Sequence, residues 1–267
     1  MTTASTSTPA VAVIGGSGFY EFIEGAREVD VSTPYGLPSA PVSVGQVAGR
    51  PIAFLPRHGR DHEFAPHTIN YRANMWALRS LGVRQVLAPC AVGGLRPDVS
   101  PGDLVVPDQL VDRTQHRRQT YVDAGAAHVP FADPYCPHLS AALAAADPDV
   151  TTGATMVVVE GPRFSTRAES QHYAAQGWSL VNMTGHPEAV LARELRMCYS
   201  TLAVVTDTDA GVASGEGVTQ ADVFAAFARS IDRTKRLLTE VVATLAPSVR
   251  CGCASWAEGI ELPFELP

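Results

Sequence analysis

Four consecutive residues, Thr206, Asp207, Thr208 and Asp209, carry the densest chemistry in the chain. They follow the apolar run Leu202-Ala203-Val204-Val205 and precede Ala210-Gly211. An apolar run with β-branched residues reads as a buried strand. In an α/β sheet, ligands bind beyond the carboxyl ends of strands. A strand that ends in Asp207 and Asp209 would offer a pocket two acceptors, or one acid and one acceptor. Asp, Thr and Gly also build turns, so this stretch alone leaves turn and site both open.

Other apolar runs end in a similar way. Residues 10–14 run into Gly15-Gly16-Ser17-Gly18, a loop whose backbone N–H groups and Ser17 hydroxyl could cradle an anion. It is not a dinucleotide fingerprint, because the third glycine would fall at Glu21. Residues 52–55 end in Pro56-Arg57-His58, 83–87 in Pro89-Cys90-Ala91, 155–159 before Phe164-Ser165, and 180–181 before Met183-Thr184. If these ends share one sheet edge, the pocket has a cationic, hydroxyl-bearing side suited to phosphate. Its carboxylate side suits an amino-heterocycle, with Phe164 stacking on the ring and Met183 packing against a sugar.

Competing chemistries fit poorly. There is no G-x-S-x-G elbow. His62-Glu63 finds its next histidine at His67, one residue too late for H-E-x-x-H, and Pro66 breaks the helix that motif needs. Cys251-Gly252-Cys253 lacks a second pair, so it reads as a surface thiol pair open to oxidation rather than a zinc site. No metal is expected. His128 and His186 taken alone read as ordinary hydrogen-bonded histidines.

The elements that must position these residues alternate. Helices are predicted over 69–81, 139–146, 168–176, 187–195 and 220–245, with strands over 42–47 and 104–107 besides those above. That order predicts an α/β fold, a mostly parallel sheet with helices on both faces. Residues 112–138 form the longest irregular stretch, and Tyr121, Phe131 and Tyr135 suggest a functional loop or subunit contact. The reading is a disordered tail over 1–9 and one domain over 10–267.

Composition sets the outer limits. With 46% apolar residues, the 267-residue chain can build one sizeable core. Its net charge of −7 argues against nucleic acid as a partner. The five cysteines and a Thr- and Ser-rich start without an apolar segment suggest a reducing, cytoplasmic setting, and no run is long enough for a membrane span.

Together the motifs resemble the trimeric purine nucleoside phosphorylase family, most closely its branch acting on S-methyl-5′-thioadenosine. The matching pieces are Gly15-Gly16-Ser17-Gly18, Pro56-Arg57-His58-Gly59-Arg60, Pro66-His67 with Ile69-Asn70-Tyr71-Arg72-Ala73-Asn74, Gly93-Gly94-Leu95, Pro101-Gly102-Asp103, Glu160-Gly161-Pro162-Arg163-Phe164-Ser165, Asn182-Met183-Thr184 with Pro187-Glu188, and Thr206-Asp207-Thr208-Asp209. The resemblance runs from about residue 11 to about residue 245. It implies a single-domain purine nucleoside phosphorylase-like fold, with a mixed, mostly parallel sheet flanked by helices.

The resemblance further implies phosphate contacts from Ser17, Arg57, His58, Cys90, Ala91 and Thr184, and a ribose contact from Met183. It puts Phe164, Ser165, Thr206, Asp207, Thr208 and Asp209 at the purine. It puts His128 in the site of a neighbouring subunit of a homotrimer. The implied reaction is phosphorolysis of 5′-methylthioadenosine to adenine and 5-methylthioribose 1-phosphate, with inorganic phosphate as co-substrate and no cofactor. Asp207 would be the acid at purine N7, with repulsion from Asp209 helping to raise its pKa.

The 6-oxopurine branch carries Asn and Glu where this chain has Asp207 and Ser165, so a 6-aminopurine is favoured. Val218 and Val223 suit an apolar 5′ substituent, while Gln220 stands where the branch often has an apolar residue. Cys90, Thr208 and Gly185-His186 also depart from the commoner residues. The alternatives are a phosphorylase of 6-oxopurine nucleosides such as inosine or methylthioinosine, and a nucleotide-binding oxidoreductase or non-catalytic module built on residues 15–18.

Overall fold

In the computed structural model, residues 8–16, 23–125, 127–210, 217–247 and 251–267 are described. The strand that delivers the two aspartates, Cys198–Thr208, is longer than its most apolar stretch, and its first nine residues are buried. A strand covered on both faces needs no polar alternation, hence the continuous apolar run.

Among the described residues, nine strands form one sheet. In chain order they are β1 (Val11–Gly15), β2 (Glu24–Val29), β3 (Val42–Val47), β4 (Arg50–Pro56), β5 (Gln85–Gly94), β6 (Leu104–Arg113), β7 (Thr151–Val159), β8 (Leu180–Asn182) and β9 (Cys198–Thr208). β1 lies parallel between β4 and β5, and β9 runs parallel to β5 along its whole length, from Gln85↔Cys198 to Gly94↔Thr208. β6, β7 and β8 are mutually parallel. β8 meets β5 antiparallel at Gly93↔Val181, and β6 meets β9 antiparallel at Leu104↔Val204. The strands β5, β8, β7, β6 and β9 therefore close on themselves, while β2, β3 and β4 extend the sheet beyond β1. Parallel pairings outnumber antiparallel ones, as expected for the mixed, mostly parallel fold class.

Alternation along the strands sorts most buried side chains into two large clusters, with a smaller third around Leu95, Val157, Tyr173 and Val181. Ala12, Ile14, Ala53 and Leu55 pack in one cluster with Met75, Leu78 and Leu191. Val11, Val13, Ile52 and Phe54 face the other, with Leu139, Leu143, Leu237 and Val241. Helices α1 (Tyr71–Ser80) and α4 (Gly185–Glu194) cover the first face. Helices α2 (Pro137–Ala145) and α5 (Gln220–Thr244) cover the second. Helix α3 (Arg167–Ala175) begins with a capping box between Thr166 and Glu169, and α6 is the short Gly252–Ser255.

Several boundaries correct the sequence reading. α1 starts at Tyr71, because the Asn70 side chain caps it by accepting from the Ala73 N–H at 3.2 Å. At the start of the described chain, Pro9 is buried and Thr8 lies over Gly82. In the stretch 112–138, Tyr121 and Tyr135 are buried as anticipated.

Candidate active site

A cavity of about 470 Å³ opens where the carboxyl ends of β1, β4, β5, β8 and β9 come together. Of the residues singled out by sequence, Arg57, His58, Cys90, Ala91, Phe164, Ser165, Met183, Thr184, Thr206, Asp207, Asp209, Gln220 and Val223 line it. Thr208 and Val218 do not, nor does the exposed His128. Ser17 lies outside the described residues, and the neighbouring Gly16 is in the wall.

On the side expected to be cationic, the structure corrects the charge. Arg57 is buried and forms a two-pronged pair with buried Glu188, Nε donating to Oε1 at 2.6 Å and Nη2 to Oε2 at 3.1 Å. Its Nη2 also donates to the Ile14 carbonyl and its Nη1 to the Pro89 carbonyl. A guanidinium has five N–H donors. Four are engaged among the described residues, which leaves one on Nη1. Tyr199 donates its hydroxyl proton to Glu188 Oε2 at 2.9 Å. The positive charge is thus balanced, and an anion here would be held by hydrogen-bond donors rather than by net charge.

His58 is not cationic either. Burial, with help from Arg57, pushes its pKa down to about 4. Its Nδ1 donates to the Phe64 carbonyl at 2.9 Å, so the neutral ring keeps Nε2 as an acceptor. Such an atom would take a proton-bearing oxygen of a ligand. Burial also pushes the Cys90 thiol up to about 12, which keeps it neutral. Asn182 shapes the adjoining wall: its Oδ1 accepts from the Thr184 and Gly185 N–H groups, each at 2.7 Å, and its Nδ2 donates to the Ala91 carbonyl.

The carboxylate side is held by backbone and hydroxyls. A Cβ at Gly93 would lie 3.0 Å from Asp207 Oδ2 and 3.2 Å from Asp209 Cβ, so only glycine lets β5 approach this closely. Asp207 Oδ1 accepts from the Thr206 hydroxyl at 2.7 Å. Its pKa rises to about 6, chiefly through burial; the Thr206 bond opposes this and Asp209 adds a smaller push. Desolvation is the main cause, and the like-charge repulsion expected from Asp209 adds to it. Asp209 is buried and accepts from the Ser170 hydroxyl at 2.5 Å. Burial raises its pKa too, against hydrogen bonds from Ser170 and Ser165. Gly161, at φ +64°, leaves room for Met183, whose Sδ would sit 2.7 Å from any Cβ there.

The start of α5 forms the third wall. Val223, Phe224 and Phe227 line it together with Gln220 and His62. Phe224 stands edge-on to His62 at 5.5 Å. The phenylalanines, and Ser170 behind the wall, carry roles that sequence reasoning missed; Asn182, itself a lining residue, was singled out only as part of a motif. Pro187-Glu188 was singled out only as a motif. The apolar spacing of Val223, Phe224 and Phe227 on one helix face was the available signal for the third wall.

The two thiols Cys251 and Cys253 also need correction. Cys253 is buried, and both lie beside Cys136 and Cys198, so the pair is not a surface pair and does have a second pair.

Fold and cavity define an α/β enzyme whose strand ends converge on one ligand pocket with hydrogen-bond donors at one side and paired aspartates at the other. The chain belongs to the phosphorylase superfamily, whose family model matches residues 10–243. It is 60% identical to the S-methyl-5′-thioadenosine phosphorylase of Mycolicibacterium smegmatis over 96% of this chain and 98% of that one. It is 55% identical to a purine nucleoside phosphorylase of Streptomyces coelicolor, over 96% and 97% of the two chains. A crystal structure of methylthioadenosine phosphorylase from an antarctic soil metagenomic library superposes with a TM-score of 0.83 at 39% identity, covering 88% of this chain and 86% of that one.

Proposed function

We propose that this enzyme cleaves the N-glycosidic bond of 5′-methylthioadenosine with inorganic phosphate, giving adenine and 5-methylthioribose 1-phosphate. The observation that carries this reading is the division of one cavity. Asp207, with its raised pKa, stands beside Asp209 and Ser165, while Val223 and Phe227 make another wall apolar.

Phosphate would be held by the free Nη1 hydrogen of Arg57, His58 Nε2, the Thr184 hydroxyl, the backbone near Cys90 and Ala91, and Ser17. Placed under the sugar, it stabilises the cation-like ribose and then bonds to its anomeric carbon. The sugar packs on Met183 and the purine on Phe164. As the glycosidic bond breaks, its electrons pass to the purine, and protonated Asp207 relieves that charge at N7. Asp209, with Thr206 and Thr208 nearby in sequence, accepts from the 6-amino group. The methylthio group would meet Val223, with Val218 and Gln220 at its edge. Phosphate is a co-substrate, and the reaction as written calls for no cofactor.

We further propose one domain over 10–267 and a homotrimer in which His128 serves a neighbour's site. His128 is exposed and away from the cavity of its own chain, which fits that role. No helix of the described residues is long and apolar enough to cross a membrane. A cytoplasmic setting is supported by five free cysteines.

Gln220, a polar residue in the apolar wall, favours a second reading in which 5′-hydroxyl nucleosides, including 6-oxopurine ones, are accepted. The test is initial-rate measurement on methylthioadenosine, adenosine, methylthioinosine and inosine, each with and without phosphate. Adenine release from methylthioadenosine that requires phosphate is the expected result. Equal cleavage without phosphate overturns phosphorolysis, and a preference for inosine supports the second reading.

A further inference from the structure

The four thiols far from the cavity carry an inference of their own. Cys136 caps the start of α2, Cys198 opens β9, and Cys251 and Cys253 lie at α6. Their Sγ atoms all lie within 4.8 Å of one another. The Cys198 and Cys251 sulfurs are 3.4 Å apart. A zinc ion bound by four thiolates at ~2.3 Å holds its sulfurs about 3.8 Å apart. The four side chains therefore already converge at nearly the spacing such an ion needs, although they come from three separate segments of chain.

The surroundings suit a closed structural site. Cys136, Cys198 and Cys253 are buried in the second apolar core, and only Cys251 is partly open. Cys136 occupies the N-cap position of α2, ahead of Pro137. The Arg196 Nε donates to the Ala254 carbonyl at 2.6 Å, fixing the chain just beyond Cys253. Oxygen and nitrogen ligands are absent from the set, which favours zinc over magnesium or calcium.

We propose that Cys136, Cys198, Cys251 and Cys253 form a tetrathiolate site for one Zn²⁺ ion, which fastens the C-terminal segment to the body of the enzyme. Four thiols give up four protons to the solvent as four Zn–S bonds form, and nothing is oxidised. With all four positions filled by protein, the ion has no opening for substrate. Asp207 is nine residues along β9 from Cys198, about 30 Å at strand rise. The ion's role is to hold residues 251–267, whose Phe264 reaches the Tyr121 and Trp76 rings.

The test uses the full chain purified under reducing conditions, with zinc measured by mass spectrometry and thiols by titration. We expect one zinc per chain, released in step with the mercurial modification of four thiols. Cobalt substitution should give the intense thiolate-to-metal absorption and tetrahedral d–d bands of a four-sulfur site. The double variant Cys251→Ser, Cys253→Ser should lose the metal and melt at a lower temperature, while chelator lowers the melting temperature of the parent and not of the variant. Reduced parent protein that binds neither zinc nor cobalt overturns the proposal. So does freshly isolated protein lighter by four hydrogens, with the thiols joined in two disulfides. Both outcomes are read on the parent chain, so a variant that fails to fold does not protect the proposal.

Discussion

Arg57 and Glu188 are 131 positions apart in sequence and form a buried, two-pronged ion pair beneath the cavity. The pair fixes the guanidinium plane and leaves a single N–H for a ligand. Glu188 in turn is fixed by Tyr199 from β9. The strand that carries the aspartates therefore also braces the opposite side of the cavity.

Breaking this pair from either side leaves a buried charge without its partner. Arg57→Ala and Glu188→Ala are each expected to lower stability by about 3–5 kcal/mol, measured by urea unfolding. Glu188→Gln keeps the shape but not the charge. It should raise the KM for phosphate more than the KM for nucleoside, because Arg57 is no longer oriented.

Asp207 holds its proton to about pH 6 in the folded enzyme, against an ordinary value of 3.8. As the protonated form is the acid, kcat/KM for adenine release should fall as pH rises above about 6, approaching tenfold per unit. Asp207→Asn should remove that limb and lower kcat, with phosphate binding retained. The sign for stability is also fixed. The folded state binds this proton more tightly than the unfolded chain, so Asp207 lowers stability progressively as pH rises from about 4 to 6. Asp207→Asn should accordingly melt above the parent at pH 8 and closer to it at pH 4.

Ser170 is fully buried, and its hydroxyl serves Asp209. Ser170→Ala leaves the carboxylate without that donor, at a cost of about 1–3 kcal/mol, read from chemical denaturation. It should also raise the Asp209 pKa further and weaken selection for the 6-amino group. Parallel rates on methylthioadenosine and methylthioinosine would show this as a narrowed ratio.

The wall built by α5 should set the choice at the 5′ position. Phe227→Ala is expected to lower kcat/KM for methylthioadenosine about 10–200-fold relative to adenosine, the usual range for lost apolar contact in a pocket. Gln220→Leu should move the same ratio the other way. Competition between the two substrates in one vessel measures both directly.

Much of this was legible in the chain. The apolar runs ending in Arg57-His58, Met183-Thr184 and Asp207-Asp209 do meet at one cavity, because strand ends in a parallel sheet share an edge. What escaped depended on distance or on the absence of pattern. β2, Glu24–Val29, is almost wholly exposed and has no apolar alternation to betray it. The Arg57–Glu188 pair turns a presumed cationic pocket into a neutral one, and nothing local to Arg57 signals a glutamate so far along. Cys251-Gly252-Cys253 lacked its second pair only because Cys136 and Cys198 reach it through the fold. The desolvation that raises Asp207 is likewise a property of packing, visible only once β5 lies against β9.

The ring of strands β5, β8, β7, β6 and β9 also dictates an order of events during synthesis. β5 cannot pair with β9 until more than a hundred further residues have been made, since Gln85 lies opposite Cys198. At ~5–20 residues per second, that flank of β5 waits roughly 6–23 s after leaving the ribosome. Throughout that interval the nascent chain presents an unpaired apolar strand to its neighbours, the condition that invites aggregation and chaperone capture. A chain released before β9 is made would be both inactive and adhesive.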